Sequence, residues 1–525
     1  MLYNDHLLLL NGNSKKGNEG TSTMAKYKRY SYKQMVMLPV SLEDQIVPGT
    51  LEFAIHVLVE ERMDVSRFDE KYQNDETGRL AYDPKVLLKI VLFGYSRGLN
   101  SSRKIERACC ENVTFMALAC GQRPDHSTIA AFVSSMRDEI VPLFRDVLLV
   151  CEEMDLLGGT FFALDGLRLP SNASKQWSGT HGELRRKKER MEARVRQLVE
   201  EHAEQDRRDE GSPMGGAPTG RVNREKQIER LRKKAARIER FLRENEPKYG
   251  PKAKEVTSNV TDNESAKMWS GHGLIQGYNS QALIDRKHQV IIHAEAFGHS
   301  QDYAHGPPML DGAMQNLRGL GHGEDYFAGR ILTADTNYHS AINIGKCDEM
   351  GLDAYIPDRF FRTRDSRFGT RRRPRGRFHL EDFRYDEVRD QYVCPDGKRL
   401  KVTVQRTCAD GIVRRKYVAD EGDCGKCSFR ARCLRAPGGK RRYLSVPIGV
   451  ESSNLSQRMA AKVDTAQGRT IYPQRIAIAE PVFANIRTHK RLDRFTLRGK
   501  VKVNIQWVLY CMVHNIEKIM NYGFA

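Results

Sequence analysis

Apolar and polar positions follow different rhythms in successive parts of this chain. Between residues 49 and 150 the rhythm is helical. Asp83-Pro84 is an N-cap followed by proline at the first helical position, and VLLKIVLFGYSRG then runs as an apolar helix that stops at Gly98. Asn100-Ser101-Ser102 caps a second helix, RKIERACCEN, and Asp125 to Thr128 caps a third that runs through IAAFVSSM. Helix, short glycine-containing turn and helix match a helix-turn-helix pattern, with an ordinary helical bundle as the alternative. Arg103, Lys104 and Arg107 on the second helix are the candidate phosphate contacts.

From Phe161 the pattern changes to strands. FFALDGLRLP carries a short apolar run into Asp165, with a glycine after it, and reads as a buried strand. A carboxylate at the end of such a strand is costly to bury alone, so it caps a turn or binds a cation. GYNSQALID and QVIIHAEAF, separated by Arg286-Lys287-His288, predict a hairpin. GRILTAD repeats the first pattern and ends at Asp335; a helix starting near TNYHSAINIGKCDEMG and a short strand LDAYIPD follow. These elements predict a mixed α/β sheet.

Between the first strand and the hairpin lies a long charged segment. Leu184, Met191, Val195 and Leu198 mark one apolar seam, and Ile228, Leu231, Ala235, Ile238 and Leu242 mark another. With GSPMGGAPTG between them, at residues 211 to 220, the pattern predicts an antiparallel helical hairpin of coiled-coil type over 180–248. It reads as a solvated structural arm, a basic arm along DNA or a dimerisation element.

Near the C-terminus a helix is predicted from Arg475 to Thr488, carrying Glu480, and a long helix from about Val503 to Met520. Arg487 lies about two turns beyond Glu480 and shares its face, whereas Arg475 lies about 140° around the helix. Before these helices, residues 359 to 380 form a basic run interleaved with aromatics, read either as a solvated loop or as a nucleic-acid contact. Cys394, Cys408 and the run CGKCSFRARC, with Cys424, Cys427 and Cys433, follow. Cys424-x2-Cys427 can place two thiolates on one zinc, and Cys394 with Cys433 (or Cys408) could complete the site; free thiols in a small β insertion are the alternative.

Charge narrows the partners. The 525 residues contain 86 Lys and Arg against 67 Asp and Glu, a net charge of +19, which points to a polyanion. No apolar run is long enough to span a membrane, and Leu7 to Leu10 is far too short. The start has no basic region ahead of its apolar run and is not read as a signal peptide. Eleven cysteines, two of them adjacent at Cys109 and Cys110, suggest a reducing compartment. Residues 1–23 are polar and expected to be disordered, and Met24 is a candidate internal start. The expected divisions are a basic N-terminal segment 1–48, a helical domain 49–150, a core 159–358 interrupted by the hairpin, an insertion 359–445, and a second core part 446–525.

Two strand-terminal aspartates and a helical glutamate in a basic protein form the oxygen ligand set expected for two Mg²⁺ ions acting on a phosphodiester. Rival carboxylates are Glu517, Asp262, Asp285 and Asp302.

The order and context of these motifs resemble the DDE-type insertion-sequence transposases. Leu164-Asp165-Gly166 is similar to the first aspartate motif of that family and is followed by SNAS at Ser171 to Ser174. Ala334-Asp335-Thr336-Asn337-Tyr338 resembles the second. Tyr472, Arg475, Glu480 and Arg487 resemble the Y-x2-R-x3-E-x6-K signature, except that four residues separate Arg475 from Glu480 and arginine replaces lysine. The GQRPDHSTIAAF and LRGKVKV…HNIEK stretches extend the likeness to nearly everything after Met24.

The resemblance implies an RNase H-like catalytic core with a helical, DNA-binding N-terminal domain. It implies two Mg²⁺ (or Mn²⁺) ions on Asp165, Asp335 and Glu480, with Tyr472, Arg475, Arg487 and Lys490 on the DNA. The expected partners are terminal inverted repeats, target DNA and further copies of the chain, in a bacterial cytoplasm at the nucleoid. A non-catalytic DNA-binding derivative and a zinc-ribbon interaction protein are the alternatives.

Overall fold

The computed structural model describes residues 41–71, 80–209, 218–250, 253–271, 273–364, 378, 380–407, 413–434, 436, 438–448 and 450–523. The predicted disordered start, most of the hairpin tip, most of the basic run and Cys408 lie outside the described residues.

Six helices come first: α1 (Leu51–Val57), α2 (Pro84–Ser96), α3 (Ser102–Glu111), α4 (Val113–Leu118), α5 (His126–Ser135) and α6 (Ile140–Glu153). Asp83 accepts the Lys85 N–H at 2.7 Å and caps α2, and Asp125 accepts from Ser127 and Thr128 to cap α5. α2 ends at Gly98, whose φ of +73° is left-handed and favours glycine. The helix is buried from Val86 to Tyr95, including Lys89, whose ammonium pairs with Glu60 at 2.8 Å. α1, α4 and α6 were not apparent in the apolar rhythm.

β1 (Phe161–Pro170) is the axis of the main sheet. A short pair, β2 (Ser178–Gly179) and β3 (Ser258–Asn259), stands at the base of the hairpin formed by α7 (His181–Asp209) and α8 (Pro218–Glu244). Leu184 clusters with Ile238 and Phe241, and Val195 and Leu198 with Ile228, so the two predicted seams meet. β4 (Ala266–Ser270), β5 (Gly273–Asp285) and β6 (Ile291–Phe297) follow, then α9 (Gly306–Gly319), β7 (Ile331–Ala334), α10 (Ala341–Glu349), β8 (Asp353–Tyr355) and the short α11 (Phe361–Arg364).

The sheet order is β4-β5-β1-β7-β8, with β6 beside β5. β1 is antiparallel to β5 and parallel to β7, which is parallel to β8. This mixed sheet, flanked by helices, agrees with an RNase H-like core.

β9 (Arg384–Asp386), β10 (Gln391–Val393), β11 (Arg399–Thr407), β12 (Val413–Ala419) and β13 (Tyr443–Ile448) form a separate antiparallel sheet, with α12 (Glu421–Gly425) and α13 (Arg430–Cys433) between its last two strands. Its core is small: Phe383, Tyr392, Leu400, Tyr417, Ala419 and Leu444.

The chain then returns to the main core through α14 (Val450–Asp464), α15 (Ala466–Ile471), α16 (Gln474–Ala484) and α17 (Lys500–Lys518). α17 is buried from Ile505 to Ile516 and is tied to the sheet through polar groups. Trp507 Nε1 donates to the Gln281 carbonyl at 2.9 Å, and Asn515 bonds both the N–H and C=O of Ile291 at 2.9 Å. One hydrophobic cluster runs from Ala54 in α1 through β1 to Ile519, so the N-terminal helices share their core with the sheet. No helix among the described residues is long and apolar enough to cross a membrane.

Candidate active site

The parallel ladder between β1 and β7 ends at the pair Leu164 and Ala334. The next residue in each chain direction is an aspartate, Asp165 and Asp335. Asp335 follows the carboxyl end of β7, but Asp165 lies within β1, which continues to Pro170 on its β5 partner; the expectation that Asp165 ends its strand is corrected to a position where the neighbouring parallel strand leaves it. Asp335 folds back onto the turn after β7. Its Oδ1 accepts the Asn337 N–H at 2.8 Å and its Oδ2 the Asn337 side-chain amide at 3.1 Å. Asp165 Oδ1 accepts the Gly166 N–H at 2.8 Å, and its Oδ2 is ion-paired with Arg475 Nη1 from the start of α16. A Cβ at Gly166 would lie 2.2 Å from Gln281 Nε2 on β5, so a larger residue there would displace the Gln281 amide from Asn279 and Asp302.

Asp165 is 13% exposed and Arg475 12%. Burial drives the Asp165 carboxyl up to about 6; the Arg475 guanidinium opposes this, and the Asp335 and Glu480 carboxylates add to it. Burial likewise raises Asp335, opposed by the Asn337 N–H, with Asp302 adding to the rise and Arg475 and Arg168 opposing it. α16 packs on β1 and carries both Arg475 and the exposed Glu480. Helical position places Arg475 well away from the Glu480 face, yet both side chains act electrostatically on Asp165.

An open cleft of about 740 Å³ is lined by Asp165, Asp335, Asp302, Arg168 and Arg487. Asp302 is buried and accepts from Asn279 at 2.5 Å, Gln281 at 3.0 Å and Arg168 at 3.3 Å. Burial pushes its carboxyl up, but His305, Asn279 and Arg168 outweigh that and hold it below the usual range. A carboxylate so fully engaged is suited to fixing Arg168 in the cleft. Arg168 was not singled out from the sequence. Its only signal was a basic residue three positions after Asp165, while the partner that positions it lies 134 residues away.

The other expected residues divide clearly. Tyr472 is half-buried beside Arg475, edge-on to Phe361 with ring centroids 5.3 Å apart. Arg103, Lys104 and Arg107 are exposed on α3, with Arg107 Nε bonded to Glu111 at 2.8 Å. Lys490 requires correction as a DNA contact. It is fully buried, and its ammonium pairs with Glu517 at 2.5 Å and bonds Asn485 at 2.9 Å. That pairing also gives Glu517 a structural role. Asp285 accepts N–H bonds from Gly158, Gly159 and Lys287, and Asp262 accepts the Tyr278 hydroxyl at 2.8 Å, so both are held in packing.

Burial and neighbouring carboxylates raise the proton affinity of Asp165 and Asp335 despite the opposing pull of Arg475 and Arg168, and a hard dication fits the deficit that remains. Among the described residues, however, no three His, Cys, Asp or Glu side chains converge as they stand to hold an ion. Asp165 is engaged by Arg475, and Glu480 lies on the exposed side of α16.

A mixed sheet in which two half-buried aspartates stand where adjacent parallel strands separate agrees with the RNase H-like class of cores. The family comparisons narrow this class. Residues 393–520 match the model for a transposase DDE domain, and residues 40–135 match that for a transposase domain (DUF772). Together the matches indicate a DDE-type insertion-sequence transposase. The first match includes Glu480 but neither Asp165 nor Asp335, so the roles of the two aspartates rest on the sheet geometry. No curated protein matches the chain.

Proposed function

We propose that this transposase cleaves DNA at the ends of its element in a divalent-metal-dependent reaction and joins the freed 3′ hydroxyl to target DNA. The observation that carries the reading is the placement of Asp165 and Asp335 side by side where β7 leaves β1, with Glu480 close enough to influence Asp165. Asp165, Asp335 and Glu480 would hold Mg²⁺ or Mn²⁺, which when bound polarises a phosphodiester and the attacking oxygen. Arg168 and Arg487 in the cleft would bind backbone phosphates, and Arg475 would move between Asp165 and a phosphate oxygen. Tyr472 limits the directions in which Arg475 can swing. The exposed face of α3 and the charged coiled-coil arm would extend the contact to DNA outside the cleft, with the element's two ends held by an oligomer.

The test is cleavage of DNA carrying the element's terminal inverted repeats, with Mg²⁺ or Mn²⁺. The expected result is a nick at the element boundary that depends on Asp165, Asp335 and Glu480. Tight end binding without a cut in either metal would instead identify a non-catalytic derivative.

A further inference from the structure

The small β sheet inserted before Glu480 has a chemistry of its own. Cys394, Cys424, Cys427 and Cys433 line one cavity of about 30 Å³, bounded also by Leu400 and Arg442. A space of this size accommodates a single water or ion and little else. Cys394 sits in a tight turn, Cys424 in α12, Cys433 at the end of α13 and Cys427 between these helices, and N–H groups are directed at the sulfurs of Cys394, Cys424 and Cys427. Cys394 N–H bonds the Lys398 carbonyl at 2.8 Å, and Lys398 N–H returns to Cys394 Sγ at 3.3 Å; Gly397 makes the turn with φ +75°. On the other side, Arg442 N–H donates to Cys424 Sγ at 3.5 Å, and the Phe429 backbone donates to Cys427. N–H donors aimed at sulfur orient it, while burial outweighs the Phe429 bond and raises the Cys427 thiol, as it raises Cys433.

We infer that Cys394, Cys424, Cys427 and Cys433 are the four ligands of a structural zinc ion that holds this insertion together. A tetrathiolate zinc centre carries two net negative charges, and on the cavity wall the cations Lys398, Arg430 and Arg442 outnumber the carboxylates Asp396 and Asp423, leaving a net positive charge to set against it. Arg442 is 8% exposed and also ties the site together, its Nη1 donating to the Cys433 carbonyl at 2.8 Å. The physical need is clear from the core. Six buried side chains serve five strands, and a module with so little apolar burial needs a metal or covalent staple. The four cysteines are unbonded to one another, so the staple is not a disulfide. Because no three of the thiols converge as they stand, binding draws the sulfurs inward into the cavity that they line. This site stands apart from the cleft of Asp165 and does not depend on the proposed cleavage reaction.

The experiment is metal analysis of the purified full chain, followed by replacement with Co²⁺. One zinc per chain and thiolate-to-cobalt charge-transfer bands in the near ultraviolet are expected. Cys424→Ser should lose the metal, and Cys433→His, which retains a zinc ligand, should keep it where Cys433→Ala does not. Cys408→Ser and Cys110→Ser should leave the zinc content unchanged. A chain purified without zinc that also gives no cobalt bands overturns the site. Loss of zinc in Cys408→Ser, or full zinc in Cys424→Ser, overturns this ligand set.

Discussion

Replacing Arg475 with methionine separates two effects that the guanidinium exerts on Asp165. In the native protein the carboxyl titrates at about 6, raised by burial and held down by the Arg475 ion pair. A contacting guanidinium lowers carboxylate proton affinity about ten- to a thousandfold, so its removal moves the midpoint from about 6 to between about 7 and 9. Metal binding at Asp165 requires the ionised form. Between about pH 7 and pH 8.5 the ionised fraction of the native carboxyl rises only about 1.1-fold. In Arg475→Met it rises about 2-fold if the midpoint is about 7, and about 25-fold if it is about 9. Mn²⁺ affinity measured by counting free ion with electron paramagnetic resonance reads this ratio directly. Asp335 contributes its own titration to both proteins. The variant should therefore show a steeper rise with pH than the native chain, together with a higher plateau once Asp165 no longer pairs with arginine. Parallel pH profiles for the two proteins would refute the claim that Arg475 controls the protonation and availability of Asp165.

Further outcomes follow from the same contacts. Glu517→Gln leaves the Lys490 ammonium buried without its counter-charge and should cost about 3–5 kcal/mol in urea unfolding. The double change Lys490→Met, Glu517→Leu should recover most of that loss, because an apolar pair needs no charge compensation. Arg168→Gln should weaken binding to any duplex sequence and reduce the salt-dependence slope by about one, as expected for one lost phosphate contact, in fluorescence anisotropy titrations. Asp302→Asn frees Arg168 from its ion pair and removes a negative charge from the cleft while keeping the cation, so the salt-dependence slope should stay at the native value.

The candidate catalytic carboxylates stood out in the sequence because each carries a local signature. Asp165 and Asp335 end short apolar runs, and those runs fold as adjacent parallel strands. Glu480 was legible from its basic neighbours on one predicted helix, observed as α16 followed by a wider turn over Asn485–His489. The hairpin seams were readable from their spacing, and Leu184 meets Ile238 as the pattern requires.

What could not be read depends on partners distant in sequence. Lys490 looks like one more cation after Arg487, and only the packing of α17 reveals Glu517 beside it, 27 residues away. Arg168 and Asp302 acquire their roles through β5, which supplies Asn279 and Gln281. Arg475 was placed off the Glu480 face by helical geometry alone, but a long side chain reaches Asp165 across that angle. The cysteine spacing pointed to a four-sulfur set and left the choice between Cys433 and Cys408 open. Cys433 lines the cavity with Cys394, Cys424 and Cys427, whereas Cys408 lies outside the described residues.

The central claim is that Asp165, Asp335 and Glu480 act as one metal-dependent site. Single-turnover cleavage of terminal-repeat DNA by the native chain and by Asp165→Asn, Asp335→Asn and Glu480→Gln tests it most directly. Each substitution should slow cutting by at least about a thousandfold, the scale of several kcal/mol of lost metal-dependent stabilisation, while leaving end binding in place. Cutting at the native rate by any one of the three would contradict the account.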